Sequence, residues 1–96
     1  MTYEKVLEVF GDYLSKDKDS EVLNTSRGYL VLMWESCFHN WLTTKLAQSP
    51  EDLRDLLQER YEDFLSYKIT QDRERHPDKK EQEEIKRMGE ELAAQC

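Results

Sequence analysis

The sequence predicts an α+β domain, in the order helix, three antiparallel strands, helix, helix, with the first two helices packed on one face of the sheet. Three observations lead there. Apolar side chains recur at helical spacing in residues 3–14 and 53–69, the run Tyr29-Leu-Val-Leu-Met-Trp34 between them is rich in strand formers, and polar turn signals separate the three blocks. An all-α bundle is the alternative, because Leu30, Trp34, Cys37, Phe38, Trp41 and Lys45 also fall at helical spacing.

Tyr3, Val6, Leu7, Phe10, Tyr13 and Leu14 lay one stripe along a first helix, capped by Thr2 and ending near Lys16, where a polar loop through Ser20 begins. Val22 and Leu23 open a strand, and Asn24-Thr-Ser-Arg-Gly28 turns the chain. Gly28 is the expected hinge, closing a three-residue loop at a positive φ that glycine adopts without strain. In the second strand Tyr29, Val31 and Met33 face one way and Leu30, Leu32 and Trp34 the other. Both faces are apolar, so the strand is expected at the sheet centre with helices over at least one side. A third strand is read from Phe38 to Ala47, with Phe38, Asn40, Leu42, Thr44 and Leu46 sharing a face.

Ser49-Pro50-Glu51-Asp52 is a helix start, with a serine cap, proline in the first turn and acids where the helix dipole favours them. Leu53, Leu56, Leu57, Tyr61, Phe64, Leu65 and Ile69 give that helix a stripe wide enough to cover a three-stranded sheet. Residues 70–77 lack an apolar anchor and read as a linker, which makes residues 1–70 the core domain. Asp78 with Glu81 forms a capping box for a last helix over residues 78–96. Its apolar seam, Ile85, Met88 and Leu92, is too narrow to hold a helix alone, so it must dock on the core or on another chain, including a second copy. A Glu83–Arg87 pair would add a few tenths of a kcal/mol.

Composition bounds the function. A chain of 96 residues buries only about 60–65% of its unfolded surface, enough for one thin core but little for a walled active site, so no enzyme is expected. A net charge of −7 disfavours direct binding to nucleic acid or an anionic membrane and favours a protein partner, a basic one above all. No segment reaches the roughly 20 apolar residues that span a bilayer, and residues 1–10 lack the apolar run of a signal peptide. Cys37 and Cys96 make no disulfide framework and read as free thiols in a cytoplasmic protein.

Cys37 and His39 together raise the question of a thiol nucleophile or a metal site. Zinc would need two further ligands and only His76 and Cys96 remain, so no metal or other cofactor is expected. Cys37 reads as a small buried hydrophobe and His39 as a surface residue beside a turn. The glycines at 11, 28 and 89 are isolated and form no phosphate loop. Trp34 and Trp41 each carry a large contact area; one or both are expected in the core, and an exposed one would anchor a partner if one sheet face lies open. Glu51, Asp52, Asp55, Glu59, Glu62 and Asp63 lie off the apolar stripe of the middle helix and cover its outer face, which serves solubility or, on the sharper reading, imitates a phosphate row that reversing Glu59, Glu62 and Asp63 would test.

Glu8-Val-Phe-Gly-Asp-Tyr-Leu14, Arg27-Gly-Tyr29 through Trp34-Glu35, and Ser49-Pro-Glu-Asp-Leu-Arg-Asp-Leu56 resemble small acidic accessory proteins of integrative and conjugative elements in gut Firmicutes. The resemblance covers about the first seventy residues and implies an accessory protein. Some such products inhibit CRISPR or restriction enzymes, which connects the resemblance to nucleic-acid mimicry. The residues themselves favour a small interaction module working through the sheet face around the tryptophans or through the seam of the last helix.

Overall fold

A computed structural model describes residues 1–70 and 76–96. Its elements run α1 (Tyr3–Lys16), β1 (Ser20–Thr25), β2 (Gly28–Glu35), β3 (Asn40–Ala47), α2 (Pro50–Thr70) and α3 (Lys79–Ala93). The α+β class and the element order are those the sequence predicts. The bundle alternative is overturned, because residues 28–47 form two paired strands. The linker read over residues 70–77 falls largely outside the described residues, and Thr70 itself closes α2.

The sheet is antiparallel with β2 in the middle, in the order β1-β2-β3. Alternation along β2 sends Tyr29, Val31 and Met33 toward the helices. Val31 is fully buried there, in one cluster with Val6, Phe10 and Tyr13 of α1, Ala47 of β3, Leu53 and Leu57 of α2, and Ala93 of α3. All three helices thus share a single core on one side of the sheet, as a two-layer α+β domain requires. Ring contacts reinforce it: Tyr3 meets Tyr29 at 4.8 Å between centroids, and Tyr13 lies 5.2 Å from Tyr61 and 5.4 Å from Phe64.

Local chemistry sets the helix boundaries. The Thr2 hydroxyl accepts from the Lys5 N–H at 3.1 Å, and Ser49 Oγ accepts from the Asp52 N–H at 3.1 Å. Asp78 accepts from the Glu81 N–H at 2.8 Å, while Glu81 accepts from the Asp78 N–H at 3.2 Å, completing the capping box. On α3, Arg87 pairs with Glu84 and with Glu91 at 2.6 Å, not with the expected Glu83.

The strands differ from expectation in three places. The β1–β2 loop has two residues, Ser26 and Arg27, because Thr25 already pairs with Gly28. Strand β3 begins at Asn40, since the chain reverses through residues 36–39 with His39 at a φ of 49°. A bulge then interrupts β3, with Lys45 opposite Val31 but Thr43 opposite Leu32. One extra residue inverts the side-chain alternation. Leu42, opposite Met33, and Leu46, opposite Leu30, therefore lie on different faces and not on one.

A buried polar cluster ties α1, β1 and α2 together. The Tyr13 hydroxyl donates to Asp17 Oδ2 at 2.6 Å, Ser20 Oγ donates to the same oxygen at 2.8 Å, and the Asp19 N–H donates to Oδ1 at 3.0 Å. Arg60 Nε donates to Ser20 Oγ at 3.1 Å, which offsets the cost of burying the carboxylate. Burial first, and then the hydrogen bond to Asp17, push the Tyr13 hydroxyl well above its ordinary 10.0. A raised folded-state value contributes stability that is complete below the unfolded pKa and is lost as pH climbs through the folded one. Stability is therefore expected to decline as pH rises above about 10, by up to about 1.4 kcal/mol per pH unit. Tyr13→Phe should flatten that alkaline limb in chemical denaturation and cost about 1–2 kcal/mol at neutral pH.

Candidate interaction surface

Side chains that alternate away from the helices make up the far face of the sheet. On β2 these are Leu30, Leu32 and Trp34. Leu23 of β1 and Leu46 of β3 flank Leu30, Glu21 of β1 lies opposite Leu32, and Trp41 of β3 lies opposite Trp34. No described helix covers this face. Leu23 is 50% exposed and Trp41 40%, and Phe38, in the turn at the tryptophan end, is 75% exposed. The Trp34 and Trp41 rings meet edge to face with centroids 5.3 Å apart, an arrangement that fixes both rings while leaving apolar area to solvent. At the same end the Trp34 N–H donates to the Asp19 carbonyl at 2.8 Å, extending the ladder one step past β1.

The charge of the molecule is sorted by layer. Residues 20–47 contain two acids, Glu21 and Glu35, and two bases, Arg27 and Lys45, so the net −7 resides entirely outside the sheet segment. Of the strand residues on the far face, Glu21 alone is of a charged type. An apolar, nearly uncharged plane therefore backs onto an acidic helical layer.

The other residues singled out from the sequence occupy different settings. On α3 Ile85 is buried and Met88 and Leu92 are half-buried, and the helix packs chiefly on α2. Close approach is possible because Gly89 has no side chain; a Cβ there would stand 2.6 Å from Glu62 Cγ. The seam is thus occupied within the chain. Glu62, expected on the outer face of α2, is half-buried over Gly89, while Glu59 and Asp63 are exposed and Asp63 is held by Arg60 at 3.1 Å. Glu59 and Asp63 lie one turn apart and repel one another, and Glu51, Asp52 and Asp55 continue the exposed acids toward the start of α2.

Cys37 is exposed in the β2–β3 turn, where its N–H donates to Glu35 Oε1 at 3.1 Å, and is not the buried hydrophobe expected. The reason is the turn itself, which carries residues 36–39 past the end of the core. His39 is exposed beside it. Cys96 packs half-buried against the core, where burial pushes its thiol up. Among the described residues no group of three His, Cys, Asp or Glu side chains lies close enough to hold a metal ion. A cavity of about 300 Å³ between β3 and α2 is lined by Lys45, Leu46, Asp52, Asp55 and Leu56, and one of about 280 Å³ by Asp17, Asp19, Met33, Arg60, Asp63, Phe64 and Tyr67. Neither lining brings together a thiol and an imidazole. Among the described residues no helix is long and apolar enough to cross a membrane.

No family model matches the chain, and no curated protein or solved structure matches it.

Sequence reasoning found the tryptophans but missed Leu23 and Leu46 as their partners on the same plane. For Leu23 the signal was present, since two strands joined by a tight hairpin must pair in a register that sets it beside Leu30. For Leu46 it was not, because the bulge that brings it to this face leaves no mark in the residue pattern.

Proposed function

We propose that this chain is a small, non-catalytic protein-interaction module of the cytoplasm whose binding surface is the uncovered sheet face centred on Trp34 and Trp41. The observation that carries the reading is the edge-to-face tryptophan pair on a plane shared with Leu23, Leu30, Leu32 and Leu46, with no helix of the described residues over it. Contiguous exposed apolar surface on a soluble domain marks interaction sites, and tryptophan is among the residues that dominate binding energy at such sites. The acidic helical layer behind the plane contributes solubility and steers approach. The alternative, an acidic mimic inhibiting a nucleic-acid enzyme, would work through the exposed acids of α2, Glu51, Asp52, Asp55, Glu59 and Asp63; the half-buried Glu62 and the pairing of Asp63 with Arg60 weaken that row.

The test is capture of the partner from the native host by purified protein at low and at high salt. Leu23→Glu with Trp41→Glu should reduce capture at least about 100-fold, with the circular dichroism spectrum unchanged, because each carboxylate would have to be desolvated against an apolar surface. High salt should leave capture by the native chain nearly intact. Capture that disappears with salt, or on reversing Glu59, Glu62 and Asp63 to lysine, while surviving the sheet-face changes would transfer the function to the acidic layer.

A further inference from the structure

We infer that the occupant of this sheet face is a second copy of the same chain, packed sheet to sheet, an assignment that rests on the reading just given. The first argument is electrostatic. Two molecules of net charge −7 repel one another, and the repulsion is severe wherever helical layers would meet. The far sheet face is the side on which they can meet without that penalty, because the sheet segment is charge-balanced and Glu21 is its lone charged residue on that plane. Glu21 belongs to an edge strand, so its carboxylate can remain at the rim of the contact. With facing sheets about 10 Å apart and each helical layer behind its own sheet, the two acidic layers are held farther apart than a Debye length of about 8 Å at physiological salt.

The second argument is area. Strands of 6, 8 and 8 residues make a plane of about 14 by 26 Å at the usual strand spacing and rise. Two copies would cover roughly 750 Å² of footprint, less than the about 1,200 Å² at which stable interfaces begin, so the contact suits a weak, reversible dimer. A larger partner would gain little more from so small a plane. An identical plane covers it completely, and a two-fold axis makes the contact isologous, the commonest arrangement of soluble oligomers. Twisted sheets packed face to face lie within about 30° of each other, so the Trp34–Trp41 pair of each copy would be buried between the sheets, as in a β-sandwich core.

Sedimentation velocity of the purified native chain over roughly 1 µM to 1 mM, with tryptophan emission recorded in parallel, tests the assignment. Both tryptophans lie on this face, so their emission should move to the blue as the dimer forms within that concentration range. Raising salt should leave the dimer intact or tighten it. Leu23→Glu and Trp41→Glu, each at a position already largely exposed, should each weaken association at least about 100-fold. A native chain that stays monomeric over the whole range, or a dimer indifferent to both substitutions, would overturn the inference. If the chain is monomeric but capture of another protein still depends on Leu23 and Trp41, the face binds a different partner and only this assignment falls. If capture is also indifferent to them, the broader reading falls with it.

Discussion

Replacing Phe10 with alanine should lower the unfolding free energy by about 3–5 kcal/mol, measured by urea denaturation at neutral pH. Phe10 is fully buried and is the largest of the wholly enclosed side chains, in the cluster where α1 meets Val31, Leu53 and Leu57. Truncation removes the transfer free energy of the ring and leaves a cavity that helices fixed by caps at Thr2 and Ser49 cannot easily close. In a domain whose total stability is of order 5–10 kcal/mol the loss is a large share, and the thermal midpoint should fall by roughly 4–8 °C for each kcal/mol. A drop under about 1 kcal/mol would mean that α1 does not seat on the sheet as described.

Gly28→Ala should be nearly as damaging, at about 3 kcal/mol or more, though nothing is removed. Gly28 has a φ of 131°, a region where side chains impose strain of order 1–3 kcal/mol. An added Cβ would also collide with the backbone carbonyl of Ala47, the last residue of β3. The carbonyl cannot yield cheaply, because Ala47 is fully buried and paired with Tyr29. The hairpin tip and the end of β3 must therefore separate, and the substitution should lower stability together with partner capture. Loss of stability can be read from the urea midpoint. A variant as stable as the native chain would show that the tip does not approach β3.

Most of the fold was legible because its signals are local. Thr2, Ser49 and Asp78 each satisfy the first amides of the helix they precede, and the apolar stripes of α1 and α2 match the faces that are buried. The errors share a cause as well. Residue 44 of β3 is extra only with respect to β2, so the bulge that puts Leu42 and Leu46 on opposite faces is a property of a pair of strands. Asp17 reads as one more polar residue of a loop, yet it is buried; its three donors are local, and the distant contribution is Arg60 of α2, which reaches Ser20 beside it. Glu62 reads as solvent-facing because the approach of α3 through Gly89 cannot be seen from α2.

The candidate surface divides in the same way. By itself the amino-acid sequence determined that β2 would be apolar on both sides, that two tryptophans would stand near its end, and that the acids would gather on the helices, because alternation, residue type and charge are properties of short segments. Only the tertiary structure decided that α3 would spend its seam on α2, that it would join α1 and α2 on their side of the sheet, and that Leu23, Leu30, Leu32, Trp34, Trp41 and Leu46 would be left together on the other. Helices can bury their stripes on either face of such a sheet. The choice rests on how three stripes, one glycine contact and one bulge fit together, which is settled by packing between segments far apart in the chain.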